Sequence, residues 1–482
     1  MVLELPTYPS EVKTTSLPSS RPSSTKDTVY ASADTPTISL PSPNGIRPVP
    51  ELLRWNSSRT TIFRVLGTFY SFTILGANDA AYGALIPYLE VYYKVNYTVI
   101  SLIFLSPVVG YVASALTNNS VHVKFGQRGV AVLVSLGHLL SYTIVSLHPP
   151  YPVLVFGYLL EGYGNGLADS GFNAWIGDMA NANEVLGFLH GMYGLGAALS
   201  PLIATTVVTK AGWQWYQFYY LLAGAAALEM CILVTVFRKA DGAAYRAMNA
   251  TTIPEHDSRS SSPTTAQQDR SKLPWYQRYN PLANPNSNTA LAVKNKTTLL
   301  ASLFLLFYVG TEVSIGGWLT SFMLRVRNGS AFASGISATG FWLGITVGRF
   351  VLGFVTGRLF PTEKHAVAFY LTMCIGTQLL FWLIPNFLVS AVMAGFLGFW
   401  LAPLFPAAVV ALTKLLPKSL HVAAVGFASA VGASGATILP FAVGAIANSK
   451  GVQVLQPIVL ALIVITLVIW LLIPKLPKQR MA

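Results

Sequence analysis

The chain has 482 residues, of which 53% are hydrophobic and only 10% are charged, and its formal net charge is +13 at pH 7. Soluble proteins have about a quarter of their residues charged, so this composition excludes an ordinary soluble protein and indicates a membrane protein. The positive charge could suggest nucleic acid as a partner, but the Lys and Arg residues are concentrated in tails and alternate loops, which is the pattern that orients a membrane protein.

Twelve apolar segments are long enough to cross a bilayer as helices, which need about 20 residues each. Their expected bounds are 62–87, 97–117, 129–148, 152–177, 185–209, 214–237, 297–323, 332–358, 364–385, 387–413, 420–448 and 453–473. They divide the chain into a Ser-, Thr- and Pro-rich tail expected to be disordered, a six-helix half, a linker, a second six-helix half and a short tail: 1–61, 62–237, 238–296, 297–473 and 474–482. The basic residues place both termini and the linker in the cytosol, and leave the plasma membrane and an internal membrane both open.

The second half of the chain repeats the first. The segment GFLHGMYGLGAALSP (187–201) recurs as GFASAVGASGATILP (426–440), so Gly196 corresponds to Gly435. A second echo links NDAAYGALIPYL (78–89) to TEVSIGGWLTSF (311–322) and sets Gly83 opposite Gly316. Two six-helix halves in parallel repeat predict an all-α membrane protein with the major facilitator fold, whose halves rock about a central site.

A polar stripe in the fourth span is the best candidate site. An ionisable side chain in the middle of a membrane helix costs about 2.5–3.5 kcal/mol on insertion scales, so it must face water or a partner. Asn165, Asp169 and Asn173 recur every four residues and share a helical face, with Trp175 close by. A carboxylate in a partly dry cavity holds a proton more readily than one in water. We predict that Asp169 binds a proton or solute, with a structural hydrogen-bond anchor as the alternative.

The repeat supports this prediction. The matching second-half segment, 395–409, places Ala402, Pro403 and Pro406 where the first half has Asp169, Ser170 and Asn173. The architecture therefore does not require a carboxylate at this position.

Two further acids occupy equivalent positions in the first helix of each half. Asp79, beside Asn78, corresponds to Glu312, which lies near Trp318. In a parallel repeat both acids approach the central axis, which favours solute or proton binding. A glycine follows each acid four residues on, so close helix packing is the competing explanation.

Four side chains of the fifth and eighth spans complete the set. His190 and Tyr193 share a face of the fifth span, and His190 is either a proton relay to Asp169 or a satisfied hydrogen-bonding group. Arg349 and Arg358 are expected to form a cytosolic salt-bridge latch, with ligand binding by Arg349 as the alternative.

No feature points to a cofactor, a metal or an enzyme. Cys231 and Cys374 both lie in apolar spans, and no Cys/His cluster has metal-binding spacing. The glycine-rich runs lie inside apolar spans without a preceding strand or a following GKS or GKT, so they are not phosphate-binding loops. No nucleophile–base arrangement is visible.

Several motifs resemble the fucose-permease branch of the major facilitators. LADSGFNAWIGD is similar to that branch's fourth helix, with Asp169 at the acidic position, Asn173 at the Asn position and Ala174 replacing a Pro. YVGTEVSIGGWLTSF, GRFVLGF and ATILPFAVGAIA are similar to fungal members of the branch. The 118–128 loop keeps the basic end of the major-facilitator signature, which implies a gating role for Arg128. The resemblance implies alternating access and proton-coupled sugar uptake.

The sequence therefore predicts a monomeric secondary transporter, with a small solute and protons as its partners. Proton-coupled symport of a sugar or other small polar solute is the first hypothesis. Proton-driven export of metabolites or xenobiotics is the second, because acidic residues serve either direction. A receptor or scaffold without transport is the alternative from another class.

Overall fold

The computed structural model describes residues 53–180, 182–250, 288–417 and 420–476. The predicted tail before residue 53, most of the predicted linker and the last six residues lie outside these ranges. Within them the helices are α1 Arg59–Tyr93, α2 Tyr97–Ile100, α3 Leu102–Ser146, α4 Tyr151–Gly177, α5 Ala182–Thr209, α6 Phe218–Val236, α7 Gly242–Ala250, α8 Asn288–Lys294, α9 Lys296–Arg325, α10 Ala331–Leu359, α11 Glu363–Leu383, α12 Phe387–Leu401, α13 Leu404–Leu415, α14 His421–Lys450 and α15 Leu455–Leu472.

These helices provide the twelve expected spans within the described part of the chain. The continuous α3 supplies two of them, because the backbone turns sharply at Gly126, where φ is 66°. A break at Ala402 and Pro403 separates α12 from α13, which together make one span. Ten spans are long and apolar enough to cross a membrane by length and composition; α1 and α4, which carry most of the candidate site, make up the twelve. The predicted all-α fold is confirmed.

The two halves repeat each other at the level of backbone contacts. Gly196 of α5 lies against the carbonyl oxygen of Thr73 in α1, and Gly435 of α14 lies against that of Leu306 in α9, with no room for a Cβ atom at either glycine. Thr73 and Leu306 have the same separation in the chain as Asp79 and Glu312. The sequence echoes therefore mark the same helix crossing in each half.

A second pair of crossings corrects the expected alignment of the fourth spans. Gly162 of α4 lies against the carbonyl oxygen of Pro107, and Gly398 of α12 lies against the carbonyl oxygen of Phe341. This pairing shifts the second half by three residues from the expected register. The residue offset between the halves grows along the chain, from 233 at Asp79 and Glu312 to 236 at Gly162 and Gly398, so the offset of the first helices is three residues too small for the fourth spans.

The corrected register sharpens the difference between the halves. Before the break it sets Glu161 opposite Leu397 and Asn165 opposite Leu401. All four side chains are buried, so the first half has buried polar groups where the second has leucines.

The halves are joined toward one face of the bundle. We call the face at which α1 begins the near face and the face at which it ends the far face. Gly83 of α1 and Gly316 of α9 cross backbone to backbone, and Ser101 contacts α14 at Gly444. α4, in contrast, packs on α1, α3 and α5 of its own half. The far side of the interface is therefore closed, and α4 takes no part in these contacts between the halves.

Both ends of the predicted linker are helical. α7 packs on the turn of α3, where Arg246 Nη1 donates to the carbonyl of Val123 at 2.6 Å. α8 packs on α9 and α14. The linker thus leaves the first half and enters the second at fixed points.

Candidate functional site

Polar side chains from both halves meet near the middle of the membrane helices, around a central space. The His190 side chain on α5 is exposed, although its ring contacts Phe72 of α1 at a centroid distance of 5.7 Å and its carbonyl accepts from Arg349 of α10 at 3.4 Å. A side chain at the meeting point of three helices from both halves is exposed to an interior space, not to lipid. Because the far side of the interface is closed, we infer that this space opens toward the near face.

Asp79 and Tyr193 form the centre of this space. The Tyr193 hydroxyl donates to Asp79 Oδ2 at 3.1 Å, and both residues are half-buried. Tyr193 also lies close enough to Glu312 and Arg349 for their charges to act on its hydroxyl. This tyrosine therefore lies between the acid of the first half and the ion pair of the second.

The second half contributes an ion pair in place of a polar stripe. Arg349 Nη2 lies 3.6 Å from Glu312 Oε1, and the Tyr308 hydroxyl donates to the other carboxylate oxygen. The Glu312 side chain is 8% exposed and that of Arg349 is 21% exposed, so the pair borders the space without being open to it. Arg349, expected with Arg358 to form a cytosolic latch between adjacent helices, pairs with Glu312 at mid-helix in this structure.

Asp169 has a single side-chain partner in this set. The Tyr111 hydroxyl of α3 donates to Asp169 Oδ2 at 3.1 Å. Asn173 Nδ2 donates to the Asp169 carbonyl at 2.8 Å, and its Oδ1 is buried without a partner among the described residues. Asp169, Asn173 and Tyr111 are all half-buried, so this part of the stripe borders the central space.

Asn165 belongs to a different environment. It is 1% exposed, and its Oδ1 lies 2.8 Å from His138 Nε2 while its Nδ2 donates to Glu161. At the other ring nitrogen of the imidazole, His138 Nδ1 lies 2.9 Å from Glu229 Oε2. The polar stripe thus divides, with Asp169 toward the central space and Asn165 toward the interior of the first half.

The network around Asn165 extends at both ends. Ser71 donates to Glu229 Oε1 at 2.5 Å, Tyr82 donates to Glu161 Oε2 at 3.1 Å, and Asn78 Nδ2 donates to the Tyr82 hydroxyl at 2.6 Å. We call this chain the buried network; its members are Ser71, Asn78, Tyr82, His138, Glu161, Asn165 and Glu229. Sequence reasoning missed His138 and Glu229, whose only signal was a lone ionisable residue in each of two apolar spans.

Trp318 lies on the far side of the interface. Its indole Nε1 donates to the Pro440 carbonyl at 2.9 Å, and its ring packs against Tyr97 and Phe104. The side chain is fully buried. It closes the floor of the central space in this conformation.

An ion pair joins the halves at the far face. Arg325 Nη2 at the end of α9 lies 2.8 Å from Glu90 Oε2 near the end of α1, and the Arg325 guanidinium also lies over the Tyr97 ring at 5.3 Å. These contacts and the packing of Trp318 together close the far side of the interface between the halves.

The comparison with protein families identifies the architecture. Residues 68–362 match the family model described as Major Facilitator Superfamily. The chain belongs to the major facilitator superfamily. Members of this superfamily are membrane transporters, and the predicted recognition is confirmed at this level.

Two curated relatives are similar to this major facilitator over most of its length. Bypass of stop codon protein 6 of Saccharomyces cerevisiae is 29% identical over 426 residues, which cover 86% of this chain and 83% of that protein. The Glucose/mannose transporter GlcP of Bacillus subtilis is 23% identical over 375 residues, which cover 76% of this chain and 85% of that protein.

The remaining candidate residues of this major facilitator lie toward the near face of the bundle. Arg128, after the α3 turn, and Arg358, near the end of α10, are exposed. Trp175 of α4 packs edge-on against Phe237 at 5.5 Å. Their predicted roles in gating and solute binding stay predictions.

Neither cysteine is paired, and no cluster of three or more His, Cys, Asp or Glu residues in the described ranges could hold a metal ion.

Proposed function

We propose that this major facilitator is a secondary active transporter that works by alternating access and couples the movement of protons to that of a sugar or another small polar solute. The observation that carries the proposal is the pair of half-buried carboxylates, Asp79 and Asp169, in a space between the halves that is closed toward one face. Each carboxylate accepts from one tyrosine hydroxyl, at 3.1 Å in both cases.

A carboxylate with one hydroxyl donor keeps acceptor positions free. A proton can neutralise it, or the hydroxyl of a solute can donate to it. Asp169 and Asp79 are the proposed proton-coupling groups, with Glu312 and His190 as further candidates. None of these roles requires a cofactor or an enzymatic reaction.

The solute would bind between the halves, where it can hold both. Asp79, Tyr193 and Asn173 would contribute from the first half and Glu312 from the second. Arg349 lies at 3.6 Å from Glu312, a distance at which an ion pair is not yet a good hydrogen bond. A polar solute could therefore insert its hydroxyl groups between them.

The remaining predicted contacts depend on the conformation. Asn78 and Asn165 support the site from the buried network, and Trp318 from the closed floor. Trp175 would approach the solute only if the near side closes.

The choice of a sugar has two supports. The relative from Bacillus subtilis is called a glucose/mannose transporter, and the fourth-helix motif resembles the fucose-permease branch. The direction proposed is uptake, with both termini in the cytosol, so that the near face is cytosolic.

Uptake into proteoliposomes with an imposed inward proton gradient tests this function. Wild type, Asp169→Asn and Asp178→Asn would be offered labelled monosaccharides and polyols. Asp178 is an exposed acid at the end of α4 and serves as the matched control. We expect accumulation in wild type and Asp178→Asn, and only exchange without accumulation in Asp169→Asn.

Each of the other outcomes would contradict a different part of the proposal. Equal accumulation in all three proteins would leave transport standing and remove Asp169 from proton coupling. If no sugar moves in either direction despite folded protein, the sugar assignment is wrong. Efflux that needs an opposite gradient would favour export.

A further inference from the structure

The buried network holds three ionisable groups that the proposed transport site does not use. Glu161, His138 and Glu229 are each 0% exposed, and they come from α4, α3 and α6. Buried charges of this kind are expensive unless they are paired, and inside a membrane they mark functional sites more often than structural ones.

The hydrogen bonds of Asn165 admit two complete arrangements. In the first, His138 is an imidazolium that donates from Nδ1 to Glu229 and from Nε2 to Asn165 Oδ1, while Asn165 Nδ2 donates to an ionised Glu161. In the second, the amide is turned by 180°. Asn165 then donates to a neutral Nε2 and accepts from a protonated Glu161.

Both arrangements contain the same number of protons. Passing from the first to the second breaks the Nε2–H bond of His138 and forms an O–H bond on Glu161 Oε1. Each leaves every polar atom of Asn165 with a partner. The amide orientation is set by the protons around it, so the two arrangements differ only in the proton position and the turn of Asn165.

The charge of the network leaves room for one more proton. Two carboxylates and one imidazole carry a net charge of −1 in both arrangements. A third proton would make the network neutral, which a fully buried environment favours. Asp79 is the nearby group that can supply this proton to the network. Glu161 interacts electrostatically with Asp79, and Asp79 is half-buried at the central space.

The groups facing the network are known for each helix that packs on it. α1 contributes Asp79 and Tyr82, and the other helices contribute tyrosines. The remaining ionisable neighbours are Tyr70 of α1, Tyr111 and Tyr142 of α3, Tyr158 of α4 and Tyr219 of α6. In the first half, the acid nearest to both the network and the space is thus Asp79.

We propose that Glu161, Asn165 and His138 form an internal proton-binding site, in which one proton is held either by His138 or by Glu161 and the orientation of the Asn165 amide follows its position. This site fills from the central space through Asp79. It deepens the proposed proton coupling and rests on that proposal for its role in transport. Asp79 then passes protons between the central space and the internal site, and Asp169 is a separate acid of the central space.

Spectroscopy of the reconstituted protein tests the site without any solute. Nitrogen-15 solid-state NMR of labelled histidine reports the protonation of His138, and infrared spectroscopy reports the C=O stretch of a protonated carboxyl group. We expect wild type to show His138 in two forms and a carboxyl band. In Glu161→Gln we expect the carboxyl band of Glu161 to be lost and His138 to remain entirely imidazolium, because the amide cannot take the proton.

A second variant tests the role of the amide. Asn165→Leu has a similar size and neither donates nor accepts, so adding Glu161→Gln to it should no longer change the His138 spectrum. The matched control is Gln378→Leu, since Gln378 is a buried amide that donates to Gln456 Oε1 at 2.6 Å in the second half. This control should leave both spectra as in wild type.

The result that overturns the proposal is a single form of His138 in wild type that Glu161→Gln does not change. His138 and Glu229 would then be a static ion pair. Since the spectra need no transported solute, a failure of the uptake experiment and a failure of this one are distinguishable.

Discussion

The ion pair of His138 and Glu229 is the contact with the clearest consequence for a single residue. Both side chains are fully buried, with 2.9 Å between Nδ1 and Oε2. Such a pair contributes little net stability against an apolar replacement, because desolvation offsets attraction. Removing only one partner, however, leaves an uncompensated charge in the interior.

We predict that His138→Leu lowers the free energy of unfolding by about 3–5 kcal/mol, the usual loss when one partner of a buried pair is removed. Thermal unfolding of the purified protein in detergent measures it. His138→Leu combined with Glu229→Leu should recover most of the loss. A double variant no more stable than the single one would contradict the ion pair.

Single residues also show the limit of sequence reasoning. Asp79, Asp169 and His190 were found because an ionisable residue inside an apolar span is conspicuous. The network around Asn165 was not predicted, because it continues through His138, on another helix. His138 and Glu229 are 91 residues apart, and no short-range spacing connects them.

At the scale of elements, glycines set how closely helices cross. Gly187 and Gly426 open the two repeated segments, and a Cβ atom at either would meet nothing within 4 Å. Gly196 and Gly435, nine residues later in the same helices, lie on backbone carbonyls. The repeat therefore contains glycines of two kinds that look alike in the sequence.

We predict that Gly196→Ala and Gly435→Ala each destabilise the protein by about 1–3 kcal/mol, because the helices must separate to admit the methyl group. Gly187→Ala and Gly426→Ala are controls on the same two helices and should be neutral or stabilising by up to about 1 kcal/mol. Melting temperatures of the four variants in detergent test this prediction. Equal effects at all four positions would refute the assignment of the crossings.

The one error of register arises because the residue offset between the halves grows from 233 at Asp79 and Glu312 to 236 at Gly162 and Gly398. The break between α12 and α13 ends the correspondence altogether. Proline in a helix removes a backbone hydrogen bond and interrupts the turn, so residues aligned across Pro403 by spacing alone lose their equivalence. A repeat detected in sequence holds best where both copies remain unbroken helices, as at Gly196 and Gly435.

For the whole molecule, the fold was predictable because span length and the repeat are properties of long segments. The conformation was not. Whether the halves meet at the near or the far face depends on weak contacts between distant residues, such as Glu90 with Arg325, and composition does not encode them.

We predict that the far-face ion pair biases this conformation. Arg325 is 40% exposed at its side chain and Glu90 16%, so the pair is worth at most about 1 kcal/mol, or about fivefold in a population. The reporter is Ser101→Cys, fully buried against Gly444, with Cys231 and Cys374 replaced by Ala. Arg325→Gln should raise its labelling rate by a water-soluble maleimide by up to about fivefold.

Arg327→Gln is the control for that measurement. Arg327 donates to Ser390 and to the carbonyls of Phe381 and Trp382, all within the second half, so its loss should not part the halves. If Arg325→Gln and Arg327→Gln label at the wild-type rate, the ion pair has no influence on the closure.

The polarity of α4 has a consequence for how the protein is made. α1 and α4 are not among the ten helices that are long and apolar enough to cross a membrane by length and composition, and α4 carries Glu161 and Asp169. An isolated α4 would meet lipid with Asp169 unsatisfied and with Asn165 as the partner of Glu161, whereas α3, to which it packs closely, offers Tyr111 to Asp169 and His138 to Asn165. Biogenesis should therefore deliver the two spans of α3 and the span of α4 to the bilayer together. The side chains proposed to hold protons in the mature transporter would then also govern the order of its membrane insertion.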